Sequence, residues 1–181
     1  MESIRMPGEI RTARLVLRRY ELKDVRALDG DAIRSIDHIG VYMPHARAEL
    51  LGDRATLLAD AGTAFDAGER FAYGMFLADG TYVGNCGARP TGGEAELDIG
   101  YWVLLEHLRK GYTSEGVRAV TAAGFAAGVR RFVLNCDARN LASQGVARAA
   151  GFTYLSTDAR VNDDGVAYDE MTWELLVGAG E

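Results

Sequence analysis

The sequence predicts an α/β fold in which an antiparallel meander leads into alternating helices and strands. Three observations carry this expectation. Two short alternating runs, residues 71–78 and 81–88, are separated by Asp79-Gly80, a pair whose glycine accepts the positive φ of a tight hairpin turn. A third run over 94–105 follows the loop of residues 90–93, so three strands succeed one another directly. After Gly111 the apolar period becomes helical, and single strands then alternate with helical stretches.

The elements follow in order. Residues 14–20 (RLVLRRY) alternate like a strand with one buried face, and Leu22, Val25 and Leu28 continue at helical spacing. Residues 40–45 (GVYMPH) read as a loop ahead of a helix over 46–65, whose apolar positions are Leu50, Leu51, Leu57, Leu58 and Phe65 and whose weak points are Gly52 and Gly62. The meander comes next. A helix runs from 111 to about 128, a strand over 131–137, a helix over 141–150 and a strand around Phe152. A last strand over 167–177 follows the turn cluster Asn162-Asp163-Asp164-Gly165. The order is β-α-α-β-β-β-α-β-α-β-β, with no repeat or linker.

With 181 residues, 48% of them apolar, the chain supplies one sizeable core and is short for two, so residues 1–181 read as a single domain. A net charge of −6 argues against a nucleic-acid partner, because backbone binding needs a basic face. Cys86 and Cys136 have no metal-ligand spacing and fit reduced thiols, so no metal is expected. The opening residues hold no apolar run of a signal peptide, and the longest uncharged helical run, 119–129, is too short to cross a bilayer. The expected location is cytoplasmic, with no membrane partner.

The segment ELDIGYWVLLEHLRKGYTSEGV delivers a strand into a basic, glycine-containing turn at the start of a helix. Unpaired N–H groups and the helix dipole attract anions there. Gly111 lets the backbone approach a ligand, Arg109 and Lys110 add charge, and Thr113 and Ser114 could cap the helix or donate to an oxygen. An ordinary strand-to-helix connection with a hydroxyl cap fits the same residues. Neither a P-loop nor a dinucleotide fingerprint is present.

Taken in sequence, RLVLRRYELKD, VYMPH, LDIGYWV, KGYTSEGVRAV and NLASQGVARAAGF resemble the GNAT N-acetyltransferases, more narrowly the ribosomal-protein N-terminal acetyltransferase (RimJ/RimL-type) branch. The resemblance implies a mixed, mostly antiparallel sheet of about seven strands with about four helices, splayed by a bulge between its fourth and fifth strands. It also implies acetyl-CoA as cosubstrate. The pantetheine arm would lie on Trp102, Val103 and Leu104, and the pyrophosphate on backbone N–H groups of a loop carrying Arg109, Lys110, Gly111, Tyr112, Thr113 and Ser114. Two positions depart from the family pattern: Leu108 stands where Gln or Arg is usual, and Thr113 where Gly or Ala is usual.

Acetyl transfer to an amine needs a neutral nucleophile, stabilisation of the oxyanion and a proton for the departing thiolate. An α-amino group of pKa about 8 gives up about 1.4 kcal/mol to be neutral at pH 7, whereas a lysine near 10.4 gives up about 4.6, so a lysine acceptor needs a base far more. Candidate bases are Glu94, Glu96 and Asp98, which share one face if alternation holds; a solvated face is the plainer reading of the two glutamates and fits Asp98 equally well. Asp98 sits just before IGYW, where the branch often carries an acid. Asp158 is a weaker candidate near the position of a glutamate in related enzymes. The resemblance implies Ser143 as general acid, since the tyrosine of many relatives is Ala147 here, and Asn140 as a cofactor contact; both also fit simple helix capping. Phe152 reads as packing. Tyr42, Met43 and His45 fall where the branch builds its acceptor pocket, while His38 and His107 have no evident partner.

The expected function is therefore acetyl transfer from acetyl-CoA to a primary amine, either a protein N-terminus or a small molecule, with a homodimer as one possible assembly. A non-catalytic acyl-CoA-binding module is the competing reading, favoured by Leu108, Thr113 and Ala147.

Overall fold

The computed structural model describes residues 4–162 and 165–178. The strands are β1 (Glu9–Arg11), β2 (Leu15–Arg18), β3 (Phe71–Leu77), β4 (Tyr82–Pro90), β5 (Glu96–Val103), β6 (Arg131–Asp137), β7 (Thr153–Val161) and β8 (Ala167–Leu176). They form one sheet in the order β1-β2-β3-β4-β5-β6-β8-β7. Only β5 and β6 run parallel, joined by a crossover through a helix as parallel strands require. The helices are α1 (Val25–Ala27), α2 (Ile36–Gly40), α3 (Pro44–Leu51), α4 (Arg54–Ala67), α5 (Tyr112–Ala126) and α6 (Leu141–Ala149).

Two layers cover the sheet. Met75 and Phe76, neighbours on β3, point to opposite faces. Met75 joins Leu17, Val117 and Val120, so α5 covers one face; Phe76 joins Leu28, Leu58, Tyr82 and Leu104 beneath the N-terminal helices. At the edge of that second layer Arg18 forks onto Asp24 with two bonds of 2.8 Å, beneath the Phe76 ring 4.0 Å away.

Three differences from the sequence reading have local causes. β1 is an additional strand whose three residues are too few to display alternation; Thr12 ties its turn to β2 through Leu15 O. The expected helix over 46–65 is two helices, because Gly52 is extended and Asp53 caps α4 by accepting from Ala55 N–H at 3.2 Å. Pro44 and His45 belong to α3, with Pro44 in the first turn, rather than to a loop. In the last hairpin Asn162 and Gly165 make the turn, Gly165 N–H donating to Asn162 O at 2.9 Å; Asp163 and Asp164 lie outside the described residues.

The feature that positions the site is the seam between β5 and β6. Their ladder has only three partners, Glu96↔Arg131, Leu97↔Phe132 and Asp98↔Val133, although both strands continue well beyond it. The sheet is thus splayed where expected, but not by a bulge in β5, whose pairing with β4 is uninterrupted from Leu97 to Val103. The irregularity lies one strand away, between β3 and β4 at Met75/Phe76. There Gly84 lets β4 press against β5: a Cβ on it would stand 2.3 Å from Trp102 O.

Candidate active site

Hydrogen-bond alternation decides which backbone groups of β5 face the gap. Leu104 N–H donates to Val83 O and Thr91 N–H to Glu96 O, so even-numbered residues bond β4 and odd-numbered ones face β6. Past the last rung, the C=O of Ile99 and the backbone N–H and C=O groups of Tyr101 and Val103 therefore turn into a space with no strand opposite. This shifts the sequence assignment. Val103 is suitably placed for an extended, amide-bearing arm. Trp102 bonds β4 through its backbone while its ring lines the cleft against Tyr82, and Leu104 is fully buried with its N–H committed to Val83.

Around the seam opens a cleft of about 960 Å³. Asp98, Trp102, Asn140 and Ser143 line it, as do Tyr42, Met43 and His45 from the N-terminal helical layer, so seven expected site residues converge on one cavity. Its floor is unusually bare: Gly87 and Gly100 are register partners, and a Cβ on Gly100 would meet nothing within 4 Å. Tyr42 Oη reaches Arg139 O at 3.4 Å, connecting the helical layer with the chain just ahead of α6.

The three candidate carboxylates separate clearly. Glu94 lies exposed in the turn before β5. Glu96 accepts from Thr91 and Arg131 at 2.6 Å each, and the Thr91 bond leads in holding its carboxyl below the usual range; it is a structural ion pair that also engages Glu174 through Arg131. Asp98 alone faces the cleft. Burial raises its carboxyl above the ordinary value, and Glu170 adds to the rise; Arg89, whose Nε and Nη2 lie 3.2 Å away, and the Asn135 amide oppose it. Asp158 is exposed on β7, where it accepts from Ser156, and does not border the cleft.

The same cleft holds a pair of hydroxyls. Ser143 is 8% exposed, and its Oγ is 2.7 Å from Tyr101 Oη. Asn140 Oδ1 accepts from Ser143 N–H at 3.0 Å, so Asn140 is the cap of α6 and fixes the serine by the same bond. Burial pushes the Tyr101 phenol up, keeping it protonated, while the Ser143 bond works the other way. Tyr101 escaped sequence reading because an aromatic in an alternating strand looks like packing. Ala147, where relatives carry a tyrosine, is fully buried. Deeper in the cleft, Asn85 Nδ2 donates to Tyr20 Oη at 2.9 Å, and burial raises the Tyr20 phenol to about 12. Burial likewise raises both thiols, Cys86 to about 12, so neither is a ready nucleophile.

The phosphate-loop candidates form a separate group at the start of α5. Gly111 caps the helix in the left-handed conformation, φ 77° and ψ 5°, and Arg109 is also left-handed at φ 59°. Tyr112, Thr113 and Ser114 occupy the first turn, and neither hydroxyl caps the helix, a role Gly111 holds. Leu108 precedes the turn with extended backbone. Lys110 Nζ is 3.5 Å from Nδ1 of buried His107, giving that histidine the partner its sequence position concealed. Among the described residues no cluster of three His, Cys, Asp or Glu could hold a metal, and no helix is long and apolar enough to cross a membrane.

This architecture occurs in known structures. The microcin C7 self-immunity acetyltransferase MccE, in complex with acetyl-CoA and AMP, superposes with a TM-score of 0.84 at 18% identity over 97% of this chain and 99% of that one. The ribosomal L7/L12 α-N-protein acetyltransferase RimL, in complex with coenzyme A, gives 0.80 at 21% identity over 96% and 98%. RimJ of Mycobacterium smegmatis, in complex with CoA-disulfide, gives 0.78 at 18% identity over 96% and 85%. No curated protein sequence matches the chain. The sequence profile of the acetyltransferase (GNAT) domain, however, matches residues 14–153, which span β2 to β6 with the seam, α5 and α6; the chain belongs to the GNAT acetyltransferase family.

Proposed function

We propose that this chain transfers the acetyl group of acetyl-CoA to a primary amine by direct attack in a ternary complex. The observation that carries the reading is that one cleft brings together the half-buried carboxylate of Asp98, the Tyr101–Ser143 hydroxyl pair and a seam whose backbone groups have no strand opposite. Acetyl-CoA supplies an activated carbonyl and a thiolate leaving group. Asp98 takes the proton from the incoming amine, directly or through water, as the C–N bond forms. Ser143 gives a proton to the sulfur as the C–S bond breaks and is resupplied by Tyr101. The backbone of Tyr101 and Val103, with the C=O of Ile99, holds the pantetheine arm like a strand, and residues 109–114 hold the diphosphate.

Two kinds of acceptor fit a cleft of this size. RimL acts on a protein α-amino group, and MccE confers microcin immunity. An α-amino acceptor suits Asp98 best, because it needs only modest help to lose a proton near neutral pH. Incubating the protein with acetyl-CoA and a panel of peptides and small amines, while following free thiol, is expected to show release with an α-amino acceptor. Saturating CoA should also raise the unfolding temperature, by about 2.7 kcal/mol of stability at a hundredfold excess over Kd. Stabilisation without turnover on any amine would point to the binding module; no stabilisation would overturn both readings.

The bare floor gives a second expectation. Gly100→Leu should project into the acceptor space, raising KM for the amine by about tenfold or more while CoA-induced stabilisation is unchanged. Steady-state kinetics with the amine varied would read this, and an unchanged KM would take the acceptor off that floor.

A further inference from the structure

The loop over 108–114 is gripped from behind by a residue nearly a hundred positions away. Arg14 stands in the turn between β1 and β2. Its Nη1 donates to Lys110 O at 2.8 Å, and its Nε and Nη2 each lie 2.6 Å from Glu115 Oε2. The guanidinium rests 4.8 Å over the Tyr112 ring. Glu115 Oε1 in turn accepts from Thr12 Oγ1 at 2.5 Å and from Arg14 N–H at 3.1 Å. The β1–β2 turn is thereby lashed to the first turn of α5.

Two physical consequences follow for an anion at that helix start. In a trans peptide the C=O and the next N–H point in opposite directions, so holding Lys110 C=O aims Gly111 N–H away from Arg14. The loop needs such support, because Arg109 holds left-handed backbone that non-glycine residues adopt only when the surroundings impose it. Glu115, with a side chain only 13% exposed, also puts a carboxylate where the dipole of α5 is positive. Left unpaired, it would offset the potential that attracts a phosphate; the guanidinium fork neutralises it.

We propose that Arg14 is a positioning residue for diphosphate recognition, aiming the Gly111 N–H and masking Glu115 so that residues 109–111 receive the diphosphate of a CoA thioester. The proposal rests on the acetyl-CoA reading above, and the acyl donor separates the two. Acetyl-CoA carries the diphosphate, while S-acetylpantetheine carries the same thioester without it. For Arg14→Met, KM for acetyl-CoA is expected to rise by about ten- to a hundredfold, with kcat at saturation within about threefold of the parent and KM for S-acetylpantetheine unchanged. Arg14→Lys keeps the charge but not the fork, so it should fall between parent and Arg14→Met. Adding Glu115→Gln to Arg14→Met should recover part of the loss, because the exposed carboxylate is gone. Equal changes with both donors, or none with either, would overturn the proposal and leave Arg14 as a structural tie. A double variant no better than Arg14→Met would overturn the masking role. Absence of CoA binding by the parent protein would overturn the underlying reading, and this one with it.

Discussion

Ser143→Ala is expected to lower kcat by about ten- to a thousandfold while CoA affinity stays within about twofold. A serine hydroxyl alone is a poor proton donor to a thiolate. Here Tyr101 Oη sits 2.7 Å from Ser143 Oγ, and burial keeps the phenol protonated, so the tyrosine can reload the serine as it donates. Tyr101→Phe should therefore cost a comparable factor. The double variant should lose little more than either single one, because both hydroxyls serve one proton path. Single-turnover thiol release from pre-bound acetyl-CoA measures the step free of product release. Additive losses would separate the two hydroxyls, and undiminished turnover in both single variants would remove them from the mechanism.

Asp98→Asn should be the other severe change, with kcat/KM lower by about a hundred- to ten-thousandfold and the lower-pH inflection of the pH–rate profile lost. In the parent protein, activity is expected to rise with pH as Asp98 ionises, above its ordinary value of 3.8 because burial disfavours the charge. Without that carboxylate the profile follows the amine's own ionisation alone. Stability should change in the opposite sense. The folded pKa is raised, so as pH climbs the unfolded chain gives up its proton first, and the stability Asp98 contributes while protonated is lost through the folded pKa. At neutral pH the neutral amide escapes that cost, so Asp98→Asn is expected to unfold at a higher temperature than the parent. Below the unfolded pKa, where Asp98 is neutral and its ionic bond to Arg89 is gone, the two should converge. Thermal melts at pH 7 and pH 3 would show this, and the same lower-pH inflection surviving in the variant would exclude Asp98 as the base.

Much of the framework could be read locally. The Asp79-Gly80 hairpin works as expected: Gly80 has φ 87° and Thr81 N–H returns to Asp79 Oδ1. The switch of period at Gly111 marks a real helix start. Convergence of residues from the N-terminal helices, β5 and α6 on one cleft was legible only through the family resemblance. What escaped was non-local. Tyr101 meets Ser143 across 42 positions, and Arg14 meets Lys110 across 96; no window of sequence contains either pair. Glu96 and Asp98 look alike in an alternating strand, and only the arrival of Arg131 from β6 separates them, tying Glu96 into the sheet while Asp98 pairs with the exposed Arg89 at the cleft. The resemblance gives Trp102, Val103 and Leu104 one shared role, whereas which of them bonds β4 depends on register. The break at Gly52-Asp53 was written locally, as a glycine followed by a capping aspartate, and the apolar spacing across it masked the signal.

The three-rung seam bears on how the molecule comes apart as well as on how it works. Backbone bonding between the two halves of the sheet is thinnest there, and α5, seated on β4 and β5 and touching α6, is the main remaining strap. Cooperativity of unfolding should be weakest along that line, so the β6–β8 half can loosen while β1–β5 stays paired. An arm lying in the gap would add the missing rungs. Occupancy by acetyl-CoA would then govern survival against proteolysis as well as rate, and the chain would be most perishable when its cosubstrate is scarce.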